Sequence, residues 1–228
     1  MDLEVPRSNR GGCTISPLLN IPIVAPPAKS PSSGILGICR EIEIVTQVTV
    51  LPRPAASICP HNARESGIKG IKLHPMMNSF YPDDPQMFPV YEELGDDMVL
   101  EIHSGRFPNA QPDETLYAAP ERIMNVVRQF PRLKVIALHL GGLYMLDEAE
   151  REVIGQENVL VDTTWPPSLR EIASDTLTAI INKHGAHKVC FGTDYPLVSQ
   201  ADESDYIASL PLTDTEKAGI LGEHARVL

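Results

Sequence analysis

From residue 67 onward, short apolar runs alternate with helix-type patterns, and this alternation constrains the fold more than any other feature of the chain. The runs are nearly continuous in apolar residues, as expected for strands that are covered on both faces. Strand, helix and strand in repeated succession indicate parallel βαβ units. The predicted strands are residues 70–74, 98–103, 134–139, 159–163 and 188–192.

The segments between these runs carry signals for the starts of helices. Pro120 suits the first position of a helix. Ser168 with Glu171, and Thr213 with Glu216, have the spacing of a capping box. Two α/β architectures fit the alternation, a doubly wound sheet and a (β/α)8 barrel, because periodicity alone does not separate them. No GxGxxG sequence follows a strand, which disfavours an open sheet that binds a dinucleotide.

Residues 1–66 have a different character. They hold 9 of the 21 prolines, and only residues 42–51 form a convincing strand pattern. The expected domain division is therefore a divergent, proline-rich segment over 1–66, which replaces the first barrel strands, and βα units over 67–228. A full (β/α)8 barrel typically needs about 250 residues, so we expect a barrel that is incomplete or divergent over its first strands.

The composition restricts the partners of the chain. A net charge of −11 disfavours nucleic acid and anionic membranes as partners. No apolar run approaches the roughly 20 residues of a membrane span, and no signal-peptide pattern is present. We expect a cytoplasmic protein that acts on a small-molecule substrate. The open edges of an incomplete barrel need cover from residues 1–66 or from a second subunit, so a homo-oligomer is also expected as one solution.

Polar side chains lie at the carboxyl ends of the predicted strands. Three strands end in His74, His103 and His139, and Asp194 follows the last strand. Lys72 precedes His74 by two residues and therefore lies on the same strand face. Ligands of parallel α/β folds bind at the carboxyl ends of strands, so these residues predict one shared site. The remaining histidines, in loop or helix patterns, are expected to be solvated: His61, His184, His187 and His224.

The residue types at these strand ends indicate metal chemistry. Imidazoles and carboxylates are ligands that a divalent metal such as zinc prefers, so the predicted metal ligands are His103, His139 and Asp194. Such a metal lowers the pKa of bound water to about 7, and a neighbouring carboxylate can accept the proton. Asp194 and His139 are accordingly the predicted catalytic residues. The predicted substrate-binding residues are Lys72, His74 and Trp165, the last of which follows strand 159–163.

Several short motifs resemble the amidohydrolase-related family, the branch of the amidohydrolase superfamily that includes aminocarboxymuconate-semialdehyde decarboxylase. Residues 67–75, GIKGIKLHP, are similar to its fourth-strand region, and IHSG at 102–105 resembles the fifth strand. HLGG at 139–142 resembles the sixth strand, and FGTDYP at 191–196 resembles the eighth. The resemblance covers residues 67–228.

This resemblance implies a metal-dependent (β/α)8 barrel. It implies that His103 binds the metal, that Asp194 binds the metal and relays protons, and that His139 contacts the substrate or the metal. Family members hydrolyse C–N or C–O bonds, or decarboxylate or hydrate unsaturated acids. The chain departs from the family at one point, since it contains no His-x-His, the pair that supplies two metal ligands from the first strand.

Three functions are compatible with these features. The leading expectation is a metal-dependent hydrolase, in which water activated by a divalent metal, most simply zinc, attacks a carbonyl carbon of a small organic substrate. An alternative that uses the same site is a metal-dependent decarboxylase of an unsaturated or aromatic acid. The third is a catalytically inactive fragment or pseudoenzyme, because the His-x-His pair is missing.

Overall fold

A computed structural model of the chain describes residues 47–49, 60–65, 67–111 and 114–228. Most of the segment 1–66 lies outside these residues, so the predicted division at residue 66 stays a prediction. Within the described ranges, no helix is both long enough and apolar enough to cross a membrane.

Six parallel strands form one sheet, and their order in the sheet is their order in the chain. The last five lie where the sequence predicts strands, with ends that differ by one or two residues. The first lies inside the predicted strand 42–51 and pairs with the second. The strands are β1 (Gln47–Thr49), β2 (Gly70–Leu73), β3 (Val99–Ile102), β4 (Lys134–Ala137), β5 (Leu160–Asp162) and β6 (Val189–Cys190).

Helices follow every described strand, and Pro120 is the first residue of its helix, as predicted. The α-helices are α1 (Pro60–Glu65), α2 (Pro75–Asn78), α3 (Phe88–Leu94), α4 (Pro120–Gln129), α5 (Leu146–Glu152), α6 (Ser174–His184), α7 (Gln200–Ser209) and α8 (Asp214–Ala218). Short 3-10 turns cover Pro85–Met87, His139–Gly141, Leu169–Glu171, Ala186–Lys188 and Ala225–Val227, and a π-helical turn covers Gly219–Glu223.

One of the two predicted capping boxes forms. Thr213 accepts from the backbone N–H of Glu216, and the Glu216 side chain accepts from the backbone N–H of Thr213. The box predicted for Ser168 and Glu171 is wrong. The Ser168 oxygen does accept the backbone N–H of Arg170, but its hydroxyl donates to the buried carboxylate of Glu203, and the segment after Ser168 is only a 3-10 turn.

The strand order decides between the two predicted architectures. A doubly wound sheet reverses its strand order at a switch point, whereas the described strands continue in one direction from β1 to β6. Right-handed crossovers in one direction place all helices on one side of the sheet, which is the arrangement of a (β/α) barrel. The described residues therefore form the larger part of a (β/α)8-type barrel, as the sequence predicts.

The two faces of the sheet carry different clusters. Toward the helices lies the main core, to which the strands contribute Leu73, Leu100, Ile102, Val135 and Val161. On the other face a second cluster fills the interior of the barrel and consists of Val99, Ile136 and Leu138, with Leu160 and Leu228 packed against it. Because the strands are parallel, their carboxyl ends meet at one rim, above this interior cluster.

Candidate functional site

Three histidines meet at the carboxyl ends of β2, β3 and β4. The rings of His74 and His103 stack, with centroids 3.9 Å apart and planes 13° apart. Nδ1 of His103 lies 2.8 Å from Nε2 of His139. The ring of Phe107 lies beside the stacked pair, with its centroid 6.0 Å from that of His74 and 6.1 Å from that of His103. The structure thus brings together three of the residues that the sequence predicts for one site.

Hydrogen bonds assign the protons on these rings. Nδ1 of His139 lies 3.2 Å from the carbonyl oxygen of Thr164, and since a carbonyl only accepts, this Nδ1 carries the hydrogen. In a neutral imidazole the other nitrogen is then an acceptor, so Nδ1–H of His103 donates to Nε2 of His139. Nε2 of His103 is left as a bare lone pair, and it is buried without a hydrogen-bond partner.

Burial keeps all three rings neutral at pH 7. It lowers the pKa of His139 to about 3 and the pKa of His74 to about 4, and it lowers the pKa of His103 well below its ordinary value. The positive charge of Lys72 acts in the same direction on each of them. Lys72 is half-buried in β2, so the cluster combines uncharged imidazoles with one nearby ammonium group.

Asp194 follows β6 and is half-buried in a left-handed conformation, with φ of 59°. Its charge acts on Asp162, the last residue of β5: burial raises the pKa of Asp162 to about 6, and the charge of Asp194 raises it further. Asp194 therefore belongs to the same rim as the histidines.

The fit of a metal ion to this rim is partial. The lone pair of His103 Nε2 and the carbonyl-bound Nδ1–H of His139 are typical of metal-ligating histidines. Among the described parts of the chain, however, no three or more His, Cys, Asp or Glu side chains are grouped so that they could hold a metal. The rim thus has suitable ligand types without a complete set, and joint ligation by His103, His139 and Asp194 stays a prediction.

Trp165 is the predicted site residue that the structure does not bring to the histidines. It is buried in the main core, with its ring 6.0 Å from that of Tyr144. An apolar ring directly after a strand fits the core as readily as a pocket, so the sequence does not separate the two placements.

Two residues that contact the cluster are absent from the sequence prediction, Asp162 and Thr164. Asp162 ends β5 in the same way that the three histidines follow their strands, so the strand-end signal also applies to it. Thr164 carries no such signal, because its contact with His139 runs through its backbone carbonyl.

The family model described as Amidohydrolase matches residues 44–228. The match begins before residue 67, so it includes β1 as well as the motifs that the sequence resemblance rests on.

Similar proteins include decarboxylases. The chain is 27% identical over 191 residues to a 2-amino-3-carboxymuconate-6-semialdehyde decarboxylase from Dictyostelium discoideum, covering 71% of this chain and 53% of that protein. An uncharacterised TIM-barrel protein from Bordetella bronchiseptica superimposes with a TM-score of 0.63 at 22% identity, over 80% of this chain and 65% of that one. A 5-carboxyvanillate decarboxylase from Novosphingobium aromaticivorans, with bound manganese, gives 0.59 at 19% identity, over 79% and 63%.

These similarities confirm the fold and correct the expected reaction. The solved structures are below 25% identity and show the barrel fold. The leading expectation of a hydrolase is wrong, because the curated relative and the manganese-containing structure are decarboxylases, which favours the alternative that the sequence left open. The chain spans about half the length of the curated relative that it matches.

Proposed function

The chain belongs to the Amidohydrolase family, and from this membership we propose that it is a non-oxidative decarboxylase of an unsaturated or aromatic acid. The observation that carries the proposal is the cluster of neutral imidazoles formed by half-buried His74 and buried His103 and His139, with Lys72 close by. The decarboxylase names of the relatives support it.

The cluster suits a planar acid. His74 and Phe107 are half-buried, and their rings offer flat surfaces for an unsaturated or aromatic substrate, with His103 buried behind His74. The ammonium group of Lys72 is the cation that we assign to the substrate carboxylate, since such charge-assisted pairs are the strong ones. Trp165 is omitted from the binding residues because it is packed in the core.

The protonation of the rings also favours a particular class of acid. Nδ1 of His74 accepts from the backbone N–H of Met77, so neutral His74 carries its proton on Nε2 and is a donor there. In the metal-free protein, His103 offers an acceptor at its own Nε2, the same lone pair that would bind a metal when one is present. An acid with a hydroxyl or amino group next to its carboxylate combines an acceptor with a donor, and therefore matches this pair.

Decarboxylation breaks the bond between the carboxyl carbon and an unsaturated carbon. The electron pair stays on that carbon, a proton replaces the carboxyl group, and carbon dioxide leaves. We assign the movement of this proton to Asp194, which is half-buried and therefore open to exchange with water, with His139 as the second group. These two assignments keep the catalytic residues predicted from the sequence.

A divalent metal is part of the proposal. When bound, it would polarise the substrate oxygens and stabilise developing negative charge. The ligands predicted from the sequence are His103, His139 and Asp194. Of these, His103 has a free lone pair on Nε2, whereas the Nε2 of His139 accepts from His103 and would have to leave that hydrogen bond to bind a metal. Imidazole and carboxylate ligands suit zinc, and the Novosphingobium relative holds manganese, so both ions are candidates.

The test is release of labelled carbon dioxide from acids that carry 13C in the carboxyl group. The full chain is stripped of metal, reloaded with zinc or manganese, and incubated with 2-amino-3-carboxymuconate-6-semialdehyde, 5-carboxyvanillate or benzoate. We expect 13CO2 from at least one of the first two acids and none from benzoate, which lacks a neighbouring donor. The absence of 13CO2 from both under either metal would contradict the proposal and favour an inactive relative.

The matched control is His187→Gln, which changes an exposed histidine outside the cluster. It should release 13CO2 at the wild-type rate. An equal loss in this variant would show that the assay responds to general damage and not to the cluster.

A further inference from the structure

Asp162 contacts the histidine cluster through the backbone of His139 and has no part in the proposed reaction. It ends β5 and is buried, with 6% of its surface exposed. Its Oδ1 accepts the backbone N–H of His139 at 2.6 Å, and its Oδ2 accepts the hydroxyl of Thr164 in a short hydrogen bond. A buried carboxylate with both oxygens engaged is a rigid anchor, because each partner is lost if the group moves.

The backbone that Asp162 holds is unusual. His139 and Leu140 have φ of 60° and 53°, so two consecutive residues other than glycine are left-handed. Such conformations persist only where the surroundings enforce them. The hydrogen bond from the N–H of His139 to Asp162 is one such constraint, and it fixes the point at which the His139 side chain leaves the backbone.

Thr164 holds the ring of the same histidine. Its carbonyl accepts Nδ1–H of His139, while its hydroxyl donates to Asp162. Asp162 and Thr164 therefore fix His139 by hydrogen bonds to both its backbone N–H and its ring. The position of the proton on His139 in turn sets the proton on His103, as the hydrogen-bond chain requires.

The space for this anchor is provided by Gly192. A Cβ atom at residue 192 would lie closer to Asp162 Oδ2 and Thr164 Oγ1 than van der Waals contact allows. Gly192 is not in the left-handed region, so glycine is required here for space and not for backbone conformation. Because the chain after β6 approaches so closely at Gly192, the Asp162 carboxylate is confined to one position.

We propose that Asp162 is the positioning residue of the site, which acts through His139 and Thr164 to fix the orientation and the tautomer of His139 and, through it, of His103. As a consequence, His103 keeps its hydrogen on Nδ1 and a free lone pair on Nε2. The effect on turnover rests on the proposed function, whereas the effect on the tautomers does not.

The tautomers are measured by NMR of the full chain labelled with 15N in its histidines. The wild type should show His139 and His103 with hydrogen on Nδ1, and His74 with hydrogen on Nε2. In Asp162→Ala the signals of His139 and His103 should change to those of mixed tautomers, while His184 is unchanged. A wild-type spectrum with hydrogen on Nε2 of His139 would overturn the proposal before any variant is made.

Asp162→Asn serves as the rescue variant. Its amide oxygen can accept from the N–H of His139, and its NH2 can donate to the Thr164 hydroxyl, which accepts as well as it donates. We expect it to keep the wild-type tautomers. A spectrum equal to that of Asp162→Ala would overturn the proposal, because the assigned contacts would then not be the cause. Asp175→Ala, which removes an exposed carboxylate on α6, should change none of the site signals.

Turnover separates positioning from folding. In Asp162→Ala, kcat should fall by about 10–100-fold with little change in KM, and Asp162→Asn should recover most of it. If Asp162→Ala does not fold, Thr164→Val removes one of the two partners and should give a smaller change of the same kind. Unchanged tautomers and kcat in both Asp162→Ala and Thr164→Val contradict the proposal. Expected tautomers in a wild type that releases no carbon dioxide contradict only the proposed function.

Discussion

His103 and His184 have the same local description but lie in different surroundings. Both are buried, with 4% and 2% of their surfaces exposed, both have a lowered pKa, and in both Nε2 lacks a hydrogen-bond partner among the described residues. His184 ends α6, where its Nδ1 accepts the backbone N–H of Gly155. His103 contacts two further histidines and Phe107 at the rim of the barrel.

The difference shows what identifies a site in this fold. Burial and a shifted pKa describe both histidines and therefore do not separate them. Only His103 lies at the carboxyl ends of parallel strands, where side chains from several strands converge. His184 connects α6 to the turn at Gly155, which is a structural role. We accordingly expect changes at His103 to affect catalysis and changes at His184 to affect stability.

The largest expected effect is a difference in turnover between variants of His103 and His184. His103→Gln should lower kcat for decarboxylation by about 100-fold, because it removes the free imidazole lone pair that we assign to the metal. His184→Gln should leave kcat near the wild-type value. Steady-state rates of carbon dioxide release from the two variants decide the point, and similar losses in both would remove the distinction between the two histidines.

The next effect concerns acid stability and belongs to His184. Burial lowers its pKa to about 4 from 6.5, with the charge of Lys188 acting in the same direction. The unfolded chain therefore binds this proton at a higher pH than the folded chain. Neutral His184 therefore contributes at most about 3 kcal/mol to the free energy of unfolding. This contribution is complete above pH 6.5 and is lost as the pH falls toward 4.

Urea denaturation of the wild type and of His184→Gln, from pH 7.5 to pH 4, measures this contribution. The free energy of unfolding of the wild type should fall more steeply with acid than that of the variant. Since the histidines of the cluster titrate in both proteins, the difference between the two curves isolates His184. Parallel curves would mean that His184 does not contribute as assigned.

The smallest expected effect compares two glycines, one in each region. Gly192→Ala should destabilise the chain by about 1–3 kcal/mol through overpacking against Asp162 and should also lower kcat. Gly155→Ala meets no atom nearer than 3.6 Å, but its φ is +93°, so it should cost about 1 kcal/mol of backbone strain and leave kcat unchanged. Urea denaturation and turnover of both variants test this. A Gly192→Ala variant with wild-type kcat would argue against a packed anchor beneath His139.

Much of the fold could be predicted from the sequence because its signals are local. Apolar runs bounded by polar residues identify β2 to β6, and Pro120 and Thr213 begin their helices as their chemistry predicts. At Ser168 the hydroxyl oxygen accepts the backbone N–H of Arg170, but the carboxylate that binds this turn comes from Glu203, 35 residues away in the chain, and not from Glu171. Spacing within a segment does not reveal a partner from another helix.

The candidate site could be predicted in part for the same reason. His74, His103 and His139 come together because each lies at a strand end, and Asp162 satisfies the same rule although the sequence prediction omitted it. His184 was expected to be solvated, which is wrong, because a helical pattern does not show that the last turn is packed against Gly155. The hydrogen bond from His139 to Thr164 uses a backbone carbonyl, which every residue type has, so the sequence does not predict it.

The most direct test of the central claim, that the histidine rim decarboxylates an acid, is mass spectrometry of the product formed in water enriched in both deuterium and 18O. The wild type, loaded with manganese or zinc, should give a product with one deuterium on the carbon that lost the carboxyl group and no 18O. A product that gains 18O and keeps its carboxyl group would show hydrolysis and would contradict the account.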